Sequence, residues 1–114
     1  MSQKQLKKKY YQNSSGSEPA REYINSLDKA ARARVFVQID RLKVGNPGKG
    51  HGVGKVQELV IDTGPGYRVY YSVVESGEIL LLLVAGDKST QPKDIKTAES
   101  YLAEYKKSGK ETSK

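Results

Sequence analysis

The chain has 114 residues, room for one domain, with 36% hydrophobic and 29% charged residues and 20 Lys and Arg against 13 Asp and Glu, a net +7. The absence of cysteine excludes disulfides, thiolate–zinc sites and a thiol nucleophile, and a lone His51 excludes His-pair acid–base chemistry. The longest apolar run, residues 79–85, is too short for a membrane span or a signal-peptide core, so a reducing, cytoplasmic setting without membrane contact is expected.

Residues 6–11 (LKKKYY) alternate as a first strand, and residues 13–17 (NSSGS) form a loop. Ser17 is a natural helix N-cap, with Glu18 and Pro19 suited to a first turn; the helix runs to about Leu27 with Ala20, Tyr23, Ile24 and Leu27 on one stripe. Asp28 caps a second helix to about Val44, in which Ala31, Val35, Ile39 and Leu42 recur at helical spacing. With almost no loop between them, the two helices should form a hairpin. Residues 45–54 (GNPGKGHGVG) are too rich in glycine for a helix or a central strand and read as a loop.

Three strands follow. Residues 56–62 place Leu59 and Ile61 inward, and 63–66 (TGPG) turn the chain. Residues 67–75 put Tyr67, Val69, Tyr71 and Val73 on one face and Arg68, Tyr70 and Ser72 on the other. After a short connection at Ser76-Gly77, residues 79–85 are apolar on both faces, as in a strand covered from both sides. A turn over 86–91 leads to a helix over 92–105, with Ile95, Ala98, Leu102 and Tyr105 on one stripe. The order gives an α+β domain: an antiparallel or mixed sheet of about four strands, an N-terminal helical hairpin and a C-terminal helix. The ordered core should span about 3–105, followed by a basic, fraying tail over 106–114.

The charge is unevenly placed. The two ends, 1–11 and 106–114, carry the whole excess, since residues 12–105 hold equal numbers of basic and acidic groups. Within that interior, residues 29–56 contain Lys29, Arg32, Arg34, Arg41, Lys43, Lys49 and Lys55 against Asp40 alone. Such asymmetry favours a polyanion but says nothing about which one; Arg41, Lys43, Lys49, His51 and Lys55 are the candidate contacts, RNA-binding if the polyanion is RNA. The glycine-rich segment does not fit a phosphate-binding loop, because His51 and Gly52 follow Gly50 where Lys and Ser or Thr belong. His51 reads either as a solvated loop histidine or as a general acid or base. Tyr70 beside Arg68 suits either phosphate gripping with base stacking or an ordinary sheet-surface pair.

Three strings carry a resemblance: RLKVGNPG (41–48), ELVIDTGPGYRVYY (58–71) and AGDKSTQPKDI (85–95). Together they resemble the addiction-module killer proteins, the HigB-like branch of the RelE/ParE toxin superfamily, over roughly residues 18–105. The resemblance implies a RelE-like fold and the toxin of a type II toxin–antitoxin system. It implies a metal-free, cofactor-free endoribonuclease that cuts mRNA, commonly on the ribosome. There the ribose 2′-hydroxyl attacks the adjacent phosphate. A small helix-turn-helix antitoxin would hold it inactive. Carried over by position, Arg68 is the phosphate-stabilising cation and Lys88 a second basic catalytic group. Tyr70 stacks or orients, and Asp87 orients Lys88 or caps its turn. Many relatives have a basic residue where this chain has Val60, and their C-terminal catalytic Tyr or His has no match near Asp94 and Ile95. A ParE-type gyrase poison acting by binding, an inactive antitoxin-binding remnant and a general RNA-binding module are the alternatives.

Overall fold

A computed structural model describes residues 5–45 and 50–108. The elements, in chain order, are β1 (Lys7–Tyr10), α1 (Pro19–Asn25), α2 (Lys29–Lys43), β2 (Gly50–Val53), β3 (Val56–Ile61), β4 (Tyr67–Val74), β5 (Ile79–Asp87), a 3₁₀ turn (Lys88–Thr90) and α3 (Gln91–Lys107). The strands form one mixed sheet in the order β1-β5-β4-β3-β2, parallel between β1 and β5 and antiparallel elsewhere. The α+β class and RelE-like arrangement are as expected, with five strands in place of about four.

The fifth strand is a correction. Gly50–Val53, expected to be loop, pairs with β3 as an edge strand, His51 opposite Glu58 and Val53 opposite Val56. Glycine is poorly tolerated in a central strand, but an edge hairpin needs only its backbone N–H and C=O groups on one side. The hairpin closes at Gly54, whose φ of +59° suits glycine, and α3 anchors it: the Lys55 N–H donates to the Glu99 carboxylate at 2.8 Å. A Cβ at Gly54 would collide with that carboxylate.

The expected stripe of α2 is the buried one: Ala31, Val35, Ile39 and Leu42 all face inward. Asp28 caps this helix by accepting from the Ala31 N–H at 2.8 Å, so Asp28→Ala should cost about 1 kcal/mol, read as a lower denaturant midpoint with unchanged slope. At α1 the cap differs from expectation. Ser17 is not the N-cap; its hydroxyl and the Glu18 N–H both donate to Glu22, which reaches back from the first turn.

The helices cover opposite faces of the sheet. Ala20 and Ile24 of α1 and Val35, Ile39 and Leu42 of α2 pack on Leu59, Ile61, Val69, Tyr71, Leu80 and Leu82. On the other face Ala98, Leu102 and Tyr105 of α3 pack on Val56, Tyr70, Val74, Leu81, Leu83 and Val84. β5 therefore serves both cores, and Leu80, Leu81, Leu82 and Leu83 are all fully buried. A bulge between Tyr70 and Tyr71 keeps both leucine rows in step with their helices. The last helix continues to Lys107, two residues past its expected end. Residues 1–4, 46–49 and 109–114 lie outside the described residues, and with them Lys49 and, from the two basic ends, Lys4, Lys110 and Lys114.

Candidate active site around Glu58

The antiparallel register sets His51 of β2, Glu58 of β3 and Tyr70 of β4 in one row across the sheet, on the face that α3 covers. Arg68 lies one pleat along β4 on the same face. α3 then brings Gln91, its first residue, over the same row. These side chains converge on the Glu58 carboxylate, 1% exposed and the sole buried charged residue among those described. Its Oε2 accepts from the Tyr70 hydroxyl at 3.1 Å and the Gln91 amide at 2.5 Å, and pairs with Arg68 Nε at 3.6 Å. Its Oε1 pairs with His51 Nε2 at 3.2 Å.

The physical logic is that of a buried charge that has to be fully partnered. Four side chains from two strands and a helix surround one carboxylate on a third strand. Arg68 is itself mostly buried, and its Nε has the ion pair but no hydrogen bond among the described residues. One terminal nitrogen, Nη1, donates to the Tyr67 carbonyl at 3.3 Å.

Beyond Glu58, Arg68 reaches a concavity of about 390 Å³ that it shares with Thr63, Gly66 and Lys88. The GPG turn brings the two cations together. Gly66 has φ of +81°, its carbonyl accepts from the Lys88 N–H at 2.9 Å, and a Cβ there would press on Arg68 Nη1. The cross-strand neighbours of Arg68 are Val60 and Gly86, so neither side chain competes with an incoming anion for the guanidinium. A Cβ at Gly86 would displace the Asp94 carboxylate from the Thr90 hydroxyl that holds it at 2.5 Å.

Two expected roles are narrowed. Tyr70 cannot stack on a base, because its ring is fully buried; its hydroxyl faces Glu58 instead. Burial first, and then the adjacent Glu58 charge, push the Tyr70 phenol well above the usual tyrosine range, so it stays protonated and donates. Asp87 caps the turn that carries Lys88, accepting from the Ser89 N–H at 2.9 Å and its hydroxyl at 2.6 Å, and the latter bond leads in holding its carboxyl below the usual range.

The remaining basic candidates are dispersed. Arg41, with Arg34, lines a separate groove of about 540 Å³ between α2 and β3 that meets the first concavity at Asp62 and Thr63. Lys43 closes the last turn of α2, where its carbonyl accepts from the Leu6 N–H, and Lys55 is exposed in the β2–β3 turn. Glu58 and Gln91 were not legible as site residues. The one local sign at Glu58 is an acidic residue standing between the apolar Val56 and Val60 on its face of β3; its pairing with Tyr70 shows only in the cross-strand register.

Away from the site, Tyr11 links β1 to α3 through Glu104 at 2.8 Å, and burial followed by that bond pushes its phenol up to about 12. A folded-state value above the unfolded ~10 gives stability that is complete below about pH 10 and lost as pH rises through about 12. Denaturant midpoints should fall across that window, and fall less in Tyr11→Phe.

Among the described residues no three His, Cys, Asp or Glu side chains group as a metal site requires, and no helix is long and apolar enough to cross a membrane.

A sheet with helices on both faces and a buried carboxylate–arginine pair beside a concavity lined by Arg68, Lys88 and Asp62 define a small α+β protein. Residues 22–110 match the family of phage-derived Gp49-like proteins (DUF891), and the chain belongs to that family. It is a family of toxin–antitoxin toxins related to the RelE-type toxins, so a cognate antitoxin is the partner it implies. The chain is also 47% identical over 70 residues to an uncharacterized protein of Haemophilus influenzae, across 60% of this chain and 70% of that one. No solved structure matches.

Proposed function

We propose that this protein is the toxin of a type II toxin–antitoxin module, of the HigB-like kind, and a metal-independent endoribonuclease that cleaves mRNA on the ribosome in the cytoplasm. A cognate helix-turn-helix antitoxin neutralises it. The observation that carries the reading is the convergence of Arg68 and Lys88 on one open concavity beneath the GPG turn. In-line attack by a 2′-hydroxyl builds negative charge on the phosphorane oxygens, and two preplaced cations are the means of stabilising it. Arg68 is braced from behind, with Glu58 fixing its Nε and the Tyr67 carbonyl its Nη1. Lys88, on a 3₁₀ turn capped by Asp87, supplies a point charge beside the planar guanidinium. Arg34 and Arg41 offer phosphate contacts for the flanking chain, since their groove adjoins the concavity.

The test is the chemistry of the ends. Purified, antitoxin-free protein given mRNA-loaded ribosomes should leave 2′,3′-cyclic or 3′-phosphate and 5′-hydroxyl termini. Intact mRNA under those conditions would refute the nuclease reading.

A further inference from the structure

The cations account for the phosphorane charge but not for the proton that the 2′-hydroxyl must lose. His51 projects from an edge strand with its side chain 61% exposed, yet its Nε2 rests on a carboxylate that is 1% exposed. A solvated histidine has no need of a buried anion. Here the anion is immobilised independently, by Tyr70 and Gln91 on the opposite oxygen. With Nε2 donating to Glu58, Nδ1 carries the lone pair, and it has no partner among the described residues.

The surroundings of His51 suit a polymeric substrate. Its chain neighbours Gly50 and Gly52 leave the opposite face of the strand bare beside it, and on its own face the next described residue along the strand is Val53. The hairpin is nonetheless held in place, because Glu99 of α3 binds the Lys55 N–H. His51 and Arg68 sit on the two oxygens of the same carboxylate, so both lie within the span of one nucleotide.

The geometry points to His51 as the general base of the cleavage, a catalytic residue, with Glu58 as the residue that positions it; this assignment rests on the ribonuclease reading above. Nδ1 takes the 2′-hydroxyl proton as O2′ bonds to phosphorus. The P–O5′ bond breaks, and O5′ takes a proton from solvent. The imidazolium, steadied by Glu58, then returns its proton to solvent. Phosphodiester and 2′-hydroxyl become a cyclic phosphate and a 5′-hydroxyl, and no redox partner is needed.

The test compares wild type with Arg68→Ala, His51→Gly, Glu58→Gln and the His51→Gly/Glu58→Gln pair on the same ribosome-bound RNA. Folding is checked by circular dichroism, and affinity is measured on an uncleavable 2′-deoxy analogue. His51→Gly should lower kcat by about 10²–10⁴-fold with little change in affinity, and added imidazole should restore part of the rate. Glu58→Gln should lower kcat in the wild-type background and by a clearly smaller factor in His51→Gly, where only its effect through Arg68 is left to lose; equal factors in both backgrounds would overturn the positioning role. A folded His51→Gly variant that keeps full kcat, or loses affinity alone, would overturn the assignment while leaving the Arg68 reading intact. A wild-type protein that cuts no RNA would overturn both.

Discussion

Arg68→Ala is expected to reduce RNA cleavage by about 10²–10³-fold while leaving the protein folded. The guanidinium is the cation that both reaches the concavity and is fixed from behind, so its loss removes charge stabilisation that water cannot replace in the same geometry. The variant should still fold but be less stable, because the buried Glu58 carboxylate loses a cation while keeping Tyr70, Gln91 and His51 around it. Arg68→Lys should recover only part of the rate, since an ammonium cannot satisfy Glu58 and a phosphate with one planar fork. Single-turnover cleavage with circular dichroism on each variant checks this; a folded Arg68→Ala protein cutting at the wild-type rate would remove Arg68 from the mechanism.

The second large effect is on stability. Glu58→Ala should destabilise the protein by about 3–5 kcal/mol, because it leaves a mostly buried guanidinium without its anion. The Tyr70 hydroxyl and Gln91 amide also lose their acceptor. Glu58→Gln keeps the volume and one carbonyl acceptor and should cost clearly less. The pair of variants, compared by denaturant unfolding, separates charge from packing. Equal and small losses in both would mean that the carboxylate is not the organising centre of this face.

The parts of the fold that were legible in the sequence are those with a strong period. The α2 stripe and the doubly apolar β5 stand as read, because burial on one helical face or on both strand faces leaves an unmistakable pattern. β2 was hidden by composition: two glycines and a histidine precede its single apolar residue, Val53, and what makes the segment a strand is the free edge of β3. The site divides the same way. Arg68 and Lys88 could be named from short strings, and the GPG turn explains why those strings bring them together. The Glu58 cluster depends on cross-strand register and on the docking of α3, which bring Tyr70 and Gln91 to it from 12 and 33 residues away. Such long-range pairings leave no local trace. Tyr70 shows the cost of reading a face without its cover: placed beside Arg68 it suggested a stacking surface, and under α3 it is core.

The basic ends and the basic helix also need separating. Arg41 and Arg34 border the site through their own groove, whereas the lysines of β1 lie at the far edge of the sheet. Lysines on an edge strand also discourage pairing with another chain, a role independent of RNA.

The most direct measurement is transcript 5′-end mapping after induced expression of the wild-type and Arg68→Ala proteins in cells lacking the antitoxin. New 5′-hydroxyl ends within translated reading frames, present with wild type and absent with Arg68→Ala, are the expected result. Growth arrest with intact transcripts and an induced DNA-damage response would contradict it, and would point instead to a gyrase poison on the same fold.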